Sequence, residues 1–305
     1  MIVMKYQKYV VKNIIPAMVA MLLLSACSFN KIFLKPTVVP SKAKELTMIA
    51  GTDTTIIHFD TLNYQPTFTG QNNDTIDFEY TIESVVFKSD NGNKLNGWII
   101  KPKNTTPTIT LIHLHGNAGF IVSQYQALTP LINFGFQIFI IDYSGFGFSE
   151  GKATRKNVLI DANSAITYAK KKPDIKNTKL IIYGQSLGGH LSAVVAEQRQ
   201  NEIDGLVIEG AFSSHKDIAA SMAGIFGRML VSEKYCGYKA LRNYKKPVLI
   251  IHSTEDETIP FKHGQKLFAN ANEPKTFYEI QKCHICGPSF YADSIAAKIF
   301  DLLKQ

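Results

Sequence analysis

The chain has 305 residues, 45% hydrophobic and 19% charged, with 20 glycines and 12 prolines. These figures exclude a disordered, collagen-like or multi-span membrane protein and leave a globular one. The formal charge is +8; Lys5, Lys8 and Lys12 fall in the first 26 residues, which hold no acid, and the remainder sets 30 bases against 25 acids. So mild an excess, spread along the chain, is weak evidence for a nucleic-acid or anionic-membrane partner, and a solvated surface is the better reading.

The first elements form an address. Lysines are followed by an apolar run from Ile14 to Leu24 and then by small residues before Cys27. That is the order of a secretory signal, and the run is shorter than the roughly 20 residues that span a bilayer. Leu24-Ser25-Ala26-Cys27 resembles the lipobox of bacterial lipoproteins. The resemblance implies residues 1–26 as a signal peptide, lipid on the Cys27 sulfur and anchoring by several acyl chains. Ser28, rather than aspartate, follows the cysteine; by the lipoprotein sorting rule this implies the outer membrane in a host that has one. An uncleaved anchor or an ordinary signal is the alternative. Residues 27–50 are read as a tether and 51–305 as the folded domain. Within that domain, residues 52–75 are rich in Thr, Asn and Asp and fit either a hairpin or a loop.

The body alternates strands and helices. Two strands are expected within 78–101 around Asp90-Asn91-Gly92-Asn93, then strands at 109–114, 137–141, 179–183, 205–209, 248–252 and 276–281. Helical periodicity fills Asn157–Lys172, Leu187–Arg199, His263–Asn270 and Ser289–Leu303, the last with Phe290, Ile295, Ile299, Leu302 and Leu303 on one stripe. Uniformly apolar strands separated by helices predict an α/β fold, with a mostly parallel eight-stranded sheet covered on both faces.

Gly184-Gln185-Ser186-Leu187-Gly188 carries the chemistry. A lone G-x-S-x-G is cheap, occurring in about one random chain in ten of this length. Here it leaves a strand and opens a helix, as a nucleophile elbow requires. Serine needs a base, and the base needs an orienting acid. In hydrolases of this kind both follow the serine, acid first. Asp256 and His284 each sit just past a strand, on the rim where open α/β sheets place their sites. Glu209 also ends a strand and is the reserve acid, whereas His263, at a helix start, is expected at the surface. His113 and His115 share a strand face without a carboxylate cluster to suggest metal, and Asp142 reads as a loop anchor.

Together HLHGNAG (113–119), DYSGFGFSEG (142–151), GQSLGG (184–189), HSTEDETIPF (252–261) and His284 resemble the α/β-hydrolase superfamily. More narrowly, they are similar to its small-lid branch of αβ-hydrolase-domain depalmitoylases and bacterial relatives. The resemblance covers roughly residues 80–304. It implies Ser186 as nucleophile, Asp256 as orienting acid, His284 as base, and an oxyanion hole from the backbone N–H groups of Asn117 and Leu187. It implies no metal or organic cofactor. Gln281-Lys282-Cys283-His284-Ile285-Cys286-Gly287 departs from the glycine-rich approach usual in the family. In an exported protein Cys283 and Cys286 could pair.

A short lid is expected at about 212–245, where a helix bearing Met222, Ile225, Phe226, Met229, Leu230 and Val231 could either accept an acyl chain or pack on the sheet. The implied function is hydrolysis of a carboxylic ester or thioester through an acyl-enzyme on Ser186. The expected partners are a small-molecule ester or acyl-thioester and the membrane reached through Cys27. Two other readings stay open: an acyltransferase or peptidase on the same triad, and a non-catalytic binding lipoprotein on a hydrolase scaffold.

Overall fold

The structure, a computed structural model, describes residues 33–51 and 53–304. The signal and Cys27 lie outside the described residues. Among the described residues, no helix is long and apolar enough to cross a membrane.

From residue 33 onward the expected tether is corrected, because the segment is packed on the domain. Phe33 is only 5% exposed and shares a small core with Leu187, Phe212, Ile218, Val231 and Ile259. Strand β1 (Lys35–Pro36) runs parallel to β8 (Ala118–Gly119). The backbone N–H of Lys35 donates to Asn117 O at 2.8 Å, and that of Val39 to Gly147 O at 2.8 Å. An aromatic anchor followed by alternate main-chain bonds leaves no freedom for a flexible spacer. The Thr-rich stretch forms a three-stranded antiparallel sheet of β2 (Glu45–Ala50), β3 (Asp53–Phe59) and β4 (Pro66–Gly70). Phe68 from β4 seals it edge-on against Trp98, centroids 6.2 Å apart.

The main sheet has eight strands. These are β5 (Tyr80–Lys88), β6 (Lys94–Pro102), β7 (Ile109–Leu114), β9 (Phe136–Ile141), β10 (Lys179–Gln185), β11 (Gly205–Glu209), β12 (Val248–Ser253) and β13 (Lys275–Ile280), in the order β5-β6-β9-β7-β10-β11-β12-β13. Only β6 runs against its neighbours; every other pairing is parallel. Strands β7, β9, β11 and β12 are buried along their whole length, as a sheet covered on both faces demands.

The covering helices are α1 (Ile121–Gln124), α2 (Arg155–Lys171), α3 (Leu187–Arg199), α4 (His215–Leu230), α5 (Gly237–Leu241), α6 (Lys262–Asn270) and α7 (Gly287–Leu302). Helix α2 begins at Thr154, whose side chain accepts from Asn157 N, a regular N-cap. In α7 the expected stripe holds for Ile295, Ile299 and Leu302 but not for Phe290, which is exposed. Tyr291 leaves helical geometry at φ −132° and turns the first residues of α7 away.

Strand register sets the site. Gly184 pairs with Leu114 across β10 and β7, and Gln185 with Glu209 across β10 and β11. The ends of three strands, with the loops that leave them, therefore meet at one rim.

Candidate active site

Ser186 lies between β10 and α3 at φ 55°, ψ −117° and is 9% exposed. This is a backbone conformation that side-chain-bearing residues avoid, and it persists only where the surroundings over-determine it. Here the Ser186 N–H donates to Glu209 O at 2.9 Å, while two glycines admit the tight packing. A Cβ on Gly184 would lie 2.4 Å from Gly188 O, and one on Gly188 would lie 2.6 Å from His115 O. Helix α3 is thus pressed against the loop after β7. In that loop a Cβ on Gly116 would sit 3.6 Å from the Ser186 Cβ, which puts Gly116-Asn117 beside the serine. Leu187 is the first helical residue, so its N–H belongs to the helix-start donors that find no partner within the helix.

His284 and Asp256 meet at the same rim. The Nδ1 of His284 donates to Asp256 Oδ2 at 2.7 Å, and Asp256 Oδ1 accepts from the N–H groups of Thr258 (2.9 Å) and Ile259 (2.8 Å). Burial pushes the Asp256 carboxyl up, but the His284 bond and charge and the two amides outweigh it and hold it below its ordinary value. An ionised acid on Nδ1 leaves the Nε2 lone pair free to take a proton. Glu209, the reserve acid, is not on His284 Nδ1. Its Oε2 accepts from Tyr183 Oη at 2.9 Å and Gln185 Nε2 at 2.8 Å, and its Oε1 from Gly287 N at 2.7 Å. Glu209 clamps the nucleophile strand to the start of α7, one loop from His284, a role the sequence did not suggest.

The loop bearing His284 closes without glycine. Lys282 (φ 128°) and Ile285 (φ 49°) supply the left-handed turns, and a disulfide joins Cys283 to Cys286, whose Cα atoms are 5.7 Å apart. So short a closure adds little global stability; its effect is local, on the histidine between the sulfurs. Reduction is expected to slow turnover on the order of tenfold, because misplacing a catalytic group by 1 Å can cost 10²-fold. Equal turnover with and without dithiothreitol, with Cys283 and Cys286 both found by mass as free thiols in the reduced sample, would refute this.

Other histidines are structural. His113 Nε2 lies 3.0 Å from Gln185 Oε1 and His115 Nδ1 lies 2.9 Å from Gly116 O, both fully buried. Burial pushes them down to about 3 and about 4, so both stay neutral. Asp142 behaves as the expected loop anchor: its Oδ1 accepts from Ile121 N at 2.8 Å, and burial raises it to about 8. His263 is not at the surface as expected but 2% exposed. Its Nδ1 accepts from Ser213 N at 3.3 Å. Its Nδ1 also lies 3.0 Å from Ser213 Oγ, which donates to Asp217 Oδ2 at 2.9 Å, and its Nε2 lies 3.1 Å from Ser221 Oγ. His190, His215 and Glu233 bring three ligand atoms within 4.8 Å of one another. Both Glu233 oxygens, however, already cap α4 through His215 N and Lys216 N, each at 3.1 Å. The carboxylate serves the helix start.

Between β11 and β12, where the lid is expected, the chain forms α4 and α5. Val231 packs in the core with Phe33 and Leu187, but four of the other apolar residues follow neither expected course. Met222, Ile225, Phe226 and Met229 are 57–75% exposed, neither packed on the sheet nor turned into a cleft.

Known proteins agree with this architecture. The sequence profile for the alpha/beta hydrolase fold matches residues 109–230. The chain is 34% identical over 202 residues to "Uncharacterized protein YfhR" of Escherichia coli K12, covering 64% of this chain and 70% of that one. It is 33% identical over 202 residues to human "Alpha/beta hydrolase domain-containing protein 17B", with 63% and 65% covered. The fold superposes on Est1E of Butyrivibrio proteoclasticus, solved with ferulic acid, at a TM-score of 0.61 and 19% identity, covering 72% of this chain and all of that one. Pyrococcus furiosus esterase Pf2001 gives 0.60 and 17%, with 74% and 92% covered. A parallel sheet in this order, a serine on a strand–helix elbow and a sequence shared across most of the domain place this chain in the α/β-hydrolase family.

Proposed function

We propose that the protein is a serine hydrolase that cleaves a carboxylic ester or thioester and is held at the membrane by lipid on Cys27. The observation that carries this reading is the placement of an elbow serine, Ser186, on the same rim as a His284–Asp256 pair bonded at 2.7 Å. In this scheme Ser186 Oγ attacks the carbonyl carbon while His284 Nε2 takes its proton. Asp256 fixes the tautomer and stabilises the imidazolium. The N–H groups of Leu187 and Asn117 receive the developing oxyanion; losing one such donor costs on the order of 10²–10³ in rate. His284 then returns the proton to the leaving alcohol or thiol, and water repeats the sequence in reverse to free the acid. Ester chemistry is favoured by a neighbour of the fold that is named as an esterase, Pf2001 of Pyrococcus furiosus.

The test is labelling of the full chain with a fluorophosphonate. Wild type is expected to label, Ser186→Ala not at all, and His284→Ala at least about 10²-fold more slowly. A folded wild type that stays unlabelled with and without reductant would overturn the hydrolase reading in favour of a binding protein.

A further inference from the structure

We propose that the folded-back tip of the lid is a membrane-docking surface that seats the catalytic rim on a bilayer. The proposal rests on the membrane-anchored reading above and adds the part of the folded domain that touches lipid. Helix α4 is not one rod. Ala223 (φ −141°) and Gly224 (φ 59°, ψ −150°) break it, and Gly224 occupies a region open essentially to glycine alone. A Cβ on Gly227 would lie 2.2 Å from the Ala219 carbonyl oxygen, eight residues earlier. In a straight helix those residues are about 12 Å apart along the axis. The second half therefore doubles back on the first, and the tip presents Met222, Ile225, Phe226 and Met229, each more than half exposed. Four adjacent large apolar side chains on one projection are a binding surface, since scattered single ones are the norm elsewhere.

One further observation identifies the occupant, namely where the chain enters the domain. Phe33 packs 4.9 Å from the His215 ring, at the first residue of α4, and 6.2 Å from Phe212. Cys27 is six residues upstream, a reach of at most about 20 Å. A lipid at Cys27 would thus be held close to the base of the lid. Apolar side chains projecting from a lid whose base lies beside the lipid attachment match the acyl boundary of a bilayer.

The experiment uses full-length, lipid-modified protein in phosphatidylethanolamine–phosphatidylglycerol vesicles whose acyl chains carry bromine at known depths. Wild type has one tryptophan, Trp98, buried in the core. Phe226→Trp adds a reporter at the tip. Asn177→Trp adds one just before β10, on the rim opposite Ser186. Bromolipid is expected to quench the Phe226→Trp protein about twofold beyond wild type, most with shallow bromine, and to leave the Asn177→Trp protein unchanged. Equal quenching of both, or none in Phe226→Trp while the protein floats with the vesicles, overturns the proposal. Emission that shifts with protein concentration instead of bromine would make the tip a contact between copies and would also overturn it. Phe226→Asp with Met229→Asp gives a second readout. The pair is expected to keep the rate on a soluble short-chain ester and to lose at least fivefold on the same ester embedded in vesicles; equal losses on both would count against docking. Fluorophosphonate labelling of Ser186 should be the same in every variant, so failure of docking and failure of the hydrolase reading remain separate.

Discussion

Asp256→Asn is expected to leave the fold intact and lower kcat by about 10⁴, the size of the same change in serine proteases. The amide oxygen can still accept from Thr258 and Ile259, which now receive Asp256 Oδ1. Its NH₂ then faces His284 Nδ1 as a donor. The ring proton must move to Nε2, and the histidine can no longer take a proton from Ser186. The loss should appear in kcat with KM little changed, measured on a soluble ester. A loss below about tenfold would remove Asp256 from the orienting role. The same carboxyl links the site to acid stability. It is held below its ordinary 3.8 in the folded state. Its contribution is therefore fully present above the unfolded value and fades as pH falls through the folded one. Denaturant midpoints measured downward from neutral pH should fall less steeply in the variant.

Gly188→Ala is expected to destabilise the protein by about 3 kcal/mol, near the upper end for overpacking a core, and so to lower Tm by about 10 °C. The added methyl meets the carbonyl carbon of Leu114 at 2.4 Å and His115 O at 2.6 Å. These are backbone atoms, so relief requires moving α3 away from β7. Activity should fall further than stability, since that movement separates Leu187 from Asn117. Gly116→Ala is the contrast: its Cβ is in ordinary contact with Ser186 at 3.6 Å, so the fold should hold while a methyl intrudes beside the nucleophile. An unchanged thermal midpoint in Gly188→Ala would mean that the helix and loop are not so closely apposed.

What the sequence disclosed followed from how local each signal was. The elbow at Ser186 was legible because strand, small residues and helix are consecutive. Asp256 and His284 were legible because each follows an apolar strand, and the register of β12 with β13, Ser253 opposite Ile280, brings those ends together. Glu209 was misjudged because its partners, Tyr183, Gln185 and Gly287, lie up to 78 residues away and reach it only through strand pairing. His263 was expected outside because a helix-start histidine says nothing of the serines that cover it. The segment after Cys27 read as a spacer because two prolines and absent periodicity describe a strap as well as a tether. The lid's apolar positions suited a straight packed helix until Gly224 broke it.

That strap has a mechanical consequence. Lys35 N holds Asn117 O, Thr37 N holds Gly119 O at 3.2 Å, and Gly147 N holds Thr37 O at 2.8 Å. Tension applied upstream of Phe33 therefore runs first into an aromatic plug beneath the lid and then into the loop carrying Asn117. Under the proposed function, an anchor upstream would pull on the half of the site that must hold still as negative charge develops on the carbonyl oxygen.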